Sequence, residues 1–403
     1  MTAAASAPEA ETVPLEPLQK RIWDNVRTGN LGSGPVIAAL GFVVLAFSLW
    51  APNFFTPVNF SNLIGQTVGT CMLAYGVVFV LLIGEIDLSI AFVSGIAGVV
   101  VARLQLPTGA HFPGWACIVL ALVATTLIGV FQGSVVAKIG VPSFVVTLAG
   151  FLIWQGVILQ ELPGVIVIQD NTINDVYGYY FSDLGGWIIG GIVSAAYVLG
   201  TLGSAVSGRL HGIAIRDPIV MAFKVVIIPA IVLVTVWICN KSQGVPFALL
   251  LLVAMLLLLT FLAKRTTFGR HVYAVGGNAE AARRAGINVA RIRILVFMIS
   301  GFMSGLGGIV LAARLNSVDL NAGGGTLLID AISAAVIGGT SLFGGRGEVR
   351  NALIGSALIA TIANGMNIKG YSTGTIYIVT GAILLLAVTF DTVARRIQVR
   401  SGR

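Results

Sequence analysis

The sequence predicts an all-α, polytopic membrane protein with about 10–12 transmembrane helices, some of them broken or re-entrant. Three observations predict it. Only 10% of the 403 residues are charged, against about 25% in soluble domains. Mean hydropathy is +0.96. Apolar runs of near-spanning length recur from residue 35 to residue 391. The 50 glycines suit helices packed closely in lipid. The net charge of +8 does not point to nucleic acid, because the basic residues gather in loops and at the C-terminal end. There they carry topology information.

Residues 1–34 form an Ala-, Glu- and Pro-rich tail, weakly basic through Lys20, Arg21 and Arg27, either disordered or a short surface helix around Leu15 to Val26. No basic stretch abuts an apolar core near the start, so a cleaved signal peptide is not expected. The membrane domain is expected over 35–391. Its apolar runs are Pro35–Trp50, Asn62–Ile83, Leu88–Leu104, Trp115–Val136, Ser143–Leu159 and Trp187–Val206. Ile219–Cys239, Val245–Ala263, Arg293–Ala313, Thr326–Leu342, Asn351–Ile368 and Ser372–Phe390 complete the set of twelve. Leu88–Leu104 and Thr326–Leu342 are the candidates for broken or re-entrant segments. A basic tail, 392–403, ends the chain.

Loop charges set the orientation. Loop 264–293 carries seven Lys and Arg against one acid, Glu280, and the C-terminal tail adds Arg395, Arg396, Arg400 and Arg403. Loop 207–218 holds Arg209 and Arg216, whereas loop 160–186 has four acids and no Lys or Arg. The positive-inside rule then places both termini and loop 264–293 in the cytoplasm and loop 160–186 outside. Gly186-x-x-x-Gly190 and Gly301-x-x-x-Gly305 signal close helix packing, within one chain by default or at a dimer seam.

Loop 264–293 contains the sequence Gly276-Gly277-Asn278-Ala279-Glu280-Ala281-Ala282-Arg283-Arg284-Ala285-Gly286-Ile287. Asn278 is a good N-cap, Glu280 sits in the first turn, and Gly286 suits a left-handed C-terminal position. Glu280 and Arg284 have the spacing of a surface ion pair. So short a helix is not stable alone. It either docks on another subunit or belongs to a loop that meets only lipid headgroups.

Polar islands inside apolar sequence are the other signal. Glu85, Asp87 and Ser89 interrupt residues 69–102. Two carboxylates between membrane helices must face water, protein or a cavity. Three readings stand: a cytoplasmic turn with Asp87 capping the next helix, a broken helix lining a solute route, or a proton relay. A second polar region ends at Asp330, and Gly338–Gly347 is too rich in glycine for a helix interior. It reads as a turn with close backbone approach. Asn364 and Asn367 are candidate pore-facing amides or interhelical hydrogen-bonding groups.

Cys71, Cys117 and Cys239 lie in apolar runs, and His111, His211 and His271 are isolated, so no metal or catalytic constellation is expected. No Gly-Lys dipeptide occurs, which excludes a phosphate-binding loop. The chain is not expected to be an enzyme, nor to bind a cofactor. Uphill transport would need a partner ATPase or an ion gradient.

An ordered set of motifs then resembles one family. It comprises Glu85-Ile86-Asp87-Leu88-Ser89, the run from Val141 to Gly150, Tyr273 to Arg283, and Gly286-Ile287-Asn288-Val289. Asp330-Ala331-Ile332, Val336 to Leu342, Asn364-Gly365-Met366 and Gly381 to Val388 continue it. The chain resembles the membrane permease subunits of bacterial ABC importers for ribose, arabinose, galactose and xylose, most of all the D-xylose branch. With that branch it shares an additional outer loop and hairpin at about 160–240, and Gly84-Glu85 where ribose permeases have Gly-Gly.

The resemblance implies a pore subunit in the bacterial inner membrane that moves a monosaccharide. It implies a second copy of the chain, a cytosolic ABC ATPase that binds ATP and Mg, and an extracytoplasmic sugar-binding protein. Asn278 to Gly286 would be the coupling helix that docks on the ATPase. Glu85, Asp87, Ser89, Asp330, Asn364 and Asn367 are candidates for the translocation path, and Arg314 for contact with the binding protein. The alternative is an ion-coupled secondary sugar transporter, with Glu85 and Asp87 binding protons.

Overall fold

The computed structural model describes residues 34–210 and 218–400. Residues 1–33 of the expected 1–34 tail, with its Leu15–Val26 segment, and His211, Arg216 and Arg403 lie outside the described residues. Among the described residues the chain is helical almost throughout, and helices fall on all twelve apolar runs. In chain order the first are α1 (Gly34–Trp50), α2 (Pro57–Leu82), α3 (Ile90–Leu104), α4 (Gly114–Ser134) and α5 (Ser143–Glu161). The short α6 (Asn171–Gly178) follows, then α7 (Asp183–Leu210), α8 (Pro218–Asn240) and α9 (Phe247–Arg265). Two small helices, α10 (Thr267–Gly277) and α11 (Ala279–Arg284), precede α12 (Val289–Leu315). α13 (Leu327–Ile337), α14 (Val349–Ile368) and α15 (Thr373–Arg400) end the fold.

Among the described residues eight helices are long and apolar enough to cross a bilayer, while α1, α3, α13 and the apolar part of α15 are shorter. The two segments expected to be broken, α3 and α13, have 15 and 11 residues. At 1.5 Å rise per residue neither covers a hydrocarbon core of about 30 Å. α15 runs on to Arg400, so the backbone of the basic tail begins as a continuation of the last helix.

Local chemistry fixes the ends of the main elements. Pro57 occupies the first turn of α2, where its missing N–H costs nothing, and Thr56 accepts a hydrogen bond from the Asn59 amide at 3.3 Å. α4 passes into a π turn, Val135–Ile139, that closes on Gly140 at φ +85°. α12 stops at Asn316, one of the few side-chain-bearing residues in left-handed conformation.

α12 is the axis of the molecule, buried against α4, α2 and α3. The approach is close because glycines stand at the contacts. Gly301 and Gly305 lie on Thr125 and Gly129 of α4, Gly307 on Gly69 and Leu73 of α2, and Gly308 on Ser94 of α3. Gly186 and Gly190 of α7 likewise face Asn240 and Val236 of α8. Both glycine motifs therefore make contacts within the chain, where removing Cβ lets backbones meet. α7 and α8 pair with each other at the periphery and leave most of their apolar surface exposed.

At one end of the bundle, two short antiparallel ribbons staple loop 160–186 down. β1 (Ile166–Val167) pairs with β4 (Ser317–Val318), and β2 (Tyr180–Phe181) with β3 (Val245–Pro246). The basic loop, with α10 and α11, lies at the other end.

Candidate functional site

The basic end is built on helix termini. Asn278 Oδ1 accepts from the Ala281 amide at 2.9 Å and starts α11. At the other terminus the Gly286 amide donates to Arg283 O and the Ile287 amide to Ala282 O, both at 3.0 Å, with Gly286 at φ +83°. This doubly bonded C-cap satisfies carbonyls that a six-residue helix would otherwise leave open. The ion pair on its surface differs from the expected one. Glu280 bonds Arg283 at 2.8 Å rather than Arg284, because a side chain one turn away at i+3 reaches it first.

α11 sits on a platform that the sequence did not reveal. α10 starts at Thr266, whose hydroxyl accepts from the Gly269 amide at 3.2 Å, and turns Phe268, Val272 and Val275 toward the core. Phe268 stacks on Phe79 of α2, with ring centroids 6.4 Å apart. Ala282 is the one buried residue of α11. Gly277, Asn278, Glu280, Ala281, Arg283, Arg284 and Gly286 remain exposed. A groove of about 320 Å³ runs between Arg283, Ile287, Arg293 and Ala137.

Three glycine turns meet beneath this platform. The Gly345 amide donates to Leu82 O at 2.9 Å, and Gly276 lies so close to Leu82 O and the Gly345 amide that a Cβ there would overlap them. Gly84, Gly344 and Gly345 all have positive φ. Two side-chain ties reinforce the junction. Tyr273 Oη donates to Gly347 O at 2.7 Å, and Lys264 pairs with Glu348 at 2.7 Å. Arg350 takes the other carboxylate oxygen. Burial works against ionisation of Glu348, but Lys264 and Arg350 together outweigh it and hold the carboxyl below its ordinary range.

The Glu85–Ser89 turn belongs to this end as well. Glu85 Oε1 pairs with Arg293 at 2.9 Å. Asp87 is buried and, contrary to expectation, is not the N-cap of α3; that position is Ser89. Asp87 Oδ1 accepts from the Ser89 amide at 3.0 Å and from the Ser89 hydroxyl at 2.7 Å, while Oδ2 accepts from Ser300 of α12 at 2.7 Å. From two positions before the cap, one oxygen still meets an amide at the start of α3 while the other is held by Ser300, so the carboxylate joins α3 to α12.

The remaining path candidates lie elsewhere. Asn364 Oδ1 accepts from Asn59 Nδ2 at 3.0 Å, linking α14 to α2, and Asn367 is exposed at the end of α14. Asp330 lines a cavity of about 360 Å³ at the end opposite the basic loop. Glu85, Asp87, Ser89, Asn364 and Asn367 do not contribute to that cavity, so the structure does not bring the six candidates together. Arg314, half-buried near the end of α12, forms no ion pair among the described residues.

Comparison with known proteins adds the decisive observation. Residues 59–388 match the family described as "Branched-chain amino acid transport system / permease component". The chain belongs to this permease family. It is 39% identical over 381 residues to the xylose transport system permease protein XylH of Escherichia coli K12, covering 93% of this chain and 95% of that protein. It is 36% identical to XylH of Haemophilus influenzae, covering 91% and 98%. The ribose import permease protein RbsC of Escherichia coli K12 is 31% identical, covering 88% and 92%. No solved structure matches.

The permease is thus a multi-pass membrane protein whose family serves transport systems. Its two ends carry different chemistry. The basic end offers a capped helix and cationic side chains on a rigid junction, and the opposite end offers a polar cavity.

Proposed function

We propose that this permease is the membrane subunit of an ATP-driven monosaccharide importer, with D-xylose as its cargo, and that it is driven by a separate ATPase. The observation that carries the reading is α11. A six-residue helix with both termini satisfied, Ala282 buried, Ala279 half-buried and its charged residues presented outward is an element made to be gripped. The junction under it ties that grip to α2, α12 and α14, so a push on α11 reaches the core as a rigid movement. Similarity to permeases named for xylose transport supports D-xylose over ribose.

Two copies form the assembly, with ATP and Mg bound by the ATPase partners beneath α10 and α11. Both termini and these helices are cytoplasmic, as the Lys and Arg bias of the loops argues. A sugar-binding protein delivers cargo at the opposite end, where Arg314 is available to an acidic partner. An ion-coupled route through Glu85 and Asp87 fits less well, because Glu85 is tied to Arg293 and Asp87 is saturated by hydroxyl and amide donors.

Reconstitution of the permease with its ATPase and binding protein tests the proposal. ATP hydrolysis should rise with D-xylose-loaded binding protein more than with other monosaccharides. Cross-linking probes placed from Ala279 to Ala285 should trap the ATPase. Uptake that survives ATP depletion and collapses with an uncoupler would overturn the reading.

A further inference from the structure

The polar cavity at the end opposite the basic loop lies where the two short apolar helices meet. α3 contributes Ser94 and Gly98, α13 contributes Asp330, α12 contributes Gly308, the intervening loop Asn321, and α15 Tyr377. Helices that stop inside a bilayer leave backbone ends and polar side chains at depth, tolerated where they line a water-filled cavity. Asp330 is a charge within an apolar helix, which is expensive unless it serves a purpose. Its Oδ2 accepts from Thr326 at 2.8 Å, and among the described residues no other hydrogen bond or ion pair is made to the carboxylate.

We propose that this cavity is a monosaccharide waypoint inside the permease, with Asp330 accepting sugar hydroxyls and Tyr377 covering the sugar's apolar face. The chemistry matches the class of ligand. A carboxylate oxygen without a protein donor forms strong charge-assisted hydrogen bonds with hydroxyl groups. An aromatic face beside it takes the C–H side of a pyranose. The floor is formed by Ser94, Gly98 and Gly308, where α3 and α12 pack closely. A volume of about 360 Å³ is enough for one monosaccharide with water. Asn321 at the rim adds a group that donates and accepts. Binding there is weak by construction, since a waypoint must release what it receives. The inference rests on the proposed function as a monosaccharide importer.

The test compares Asp330→Asn and Tyr377→Ala with Glu161→Gln, an exposed acid at the same end that does not line the cavity, in the reconstituted importer. D-xylose uptake and ATP hydrolysis are measured together. Asp330→Asn and Tyr377→Ala should each move at least fivefold less sugar per ATP hydrolysed, while hydrolysis driven by loaded binding protein stays within twofold of the parent. Tyr377→Phe should keep the parent ratio, as the ring and not the hydroxyl covers the sugar. Glu161→Gln should be unchanged. A folding defect lowers uptake and hydrolysis together and leaves the ratio intact. An unchanged ratio in both cavity variants, with the parent transporting D-xylose, overturns the waypoint alone. A parent that transports no monosaccharide overturns the functional reading and the waypoint with it.

Discussion

Arg293 at the start of α12 pairs with Glu85 at 2.9 Å, and two turns further along the same helix Ser300 holds Asp87 at 2.7 Å. Residues seven apart share a helix face, so one turn of chain, Gly84 to Ser89, is gripped twice by the central helix. That turn is also where α2 ends and α3 begins.

The pair should behave as a coupled unit. Glu85→Ala and Arg293→Ala each leave a partly buried charge without its partner, and should lower thermal stability in detergent. Their effects should not add, with an interaction of about 1 kcal/mol in a double-mutant cycle. Additive losses would show that the pair contributes nothing beyond proximity.

Gly276 and Gly277 are adjacent and should respond oppositely to alanine. A Cβ at Gly276 overlaps Leu82 O and the Gly345 amide, whereas at Gly277 it meets nothing. Gly276→Ala should abolish recovery of folded protein or shift its melting temperature by many degrees. Gly277→Ala should purify and melt like the parent.

Gly286 should be needed for coupling and not for folding of the membrane domain. At φ +83° a side chain costs about 1–2 kcal/mol, enough to fray a single-turn helix. Gly286→Val should reduce ATP-driven uptake at least tenfold while the purified permease keeps its melting temperature. By contrast, Arg283→Ala removes an exposed ion pair and should shift stability by less than about 0.5 kcal/mol.

Asn364 should prove structural. Asn364→Ala breaks its bond to Asn59 and should cost about 1 kcal/mol, as interhelical hydrogen bonds in membrane proteins do. Sugar moved per ATP should not change. A fall in that ratio with unaltered melting would place Asn364 in the path instead.

The Lys264–Glu348–Arg350 cluster predicts an acid limb. Glu348 has a depressed folded value, so its stabilisation is complete above the ordinary value of 4.5 and is lost as pH falls through the folded value below it. Glu348→Gln should flatten the decline of melting temperature below pH 4.5, and leave the slope near neutrality unaltered.

Much of this architecture was legible in the chain because membrane spans are written in composition. All twelve apolar runs became helices, and Leu88–Leu104 and Thr326–Leu342 became the short α3 and α13. The caps of α11 at Asn278 and Gly286 were readable too, since capping is local chemistry. α10 was missed, although Thr266 and the spacing of Phe268, Val272 and Val275 carried its signal. Seven nearby cations made that stretch look like a plain loop. α6 was missed for a similar reason, inside a loop read only for its charges.

The residues alone determined that the protein is a helical membrane protein, where its apolar helices fall, and where a short capped helix interrupts a basic loop. These properties depend on hydropathy and on contacts within a few positions. Only the tertiary structure decided that Glu85 answers Arg293, that Asp87 is locked on Ser300, and that Asp330 and Tyr377 share a cavity. Such pairings join residues far apart in sequence, and which polar group meets which is settled by how the helices pack.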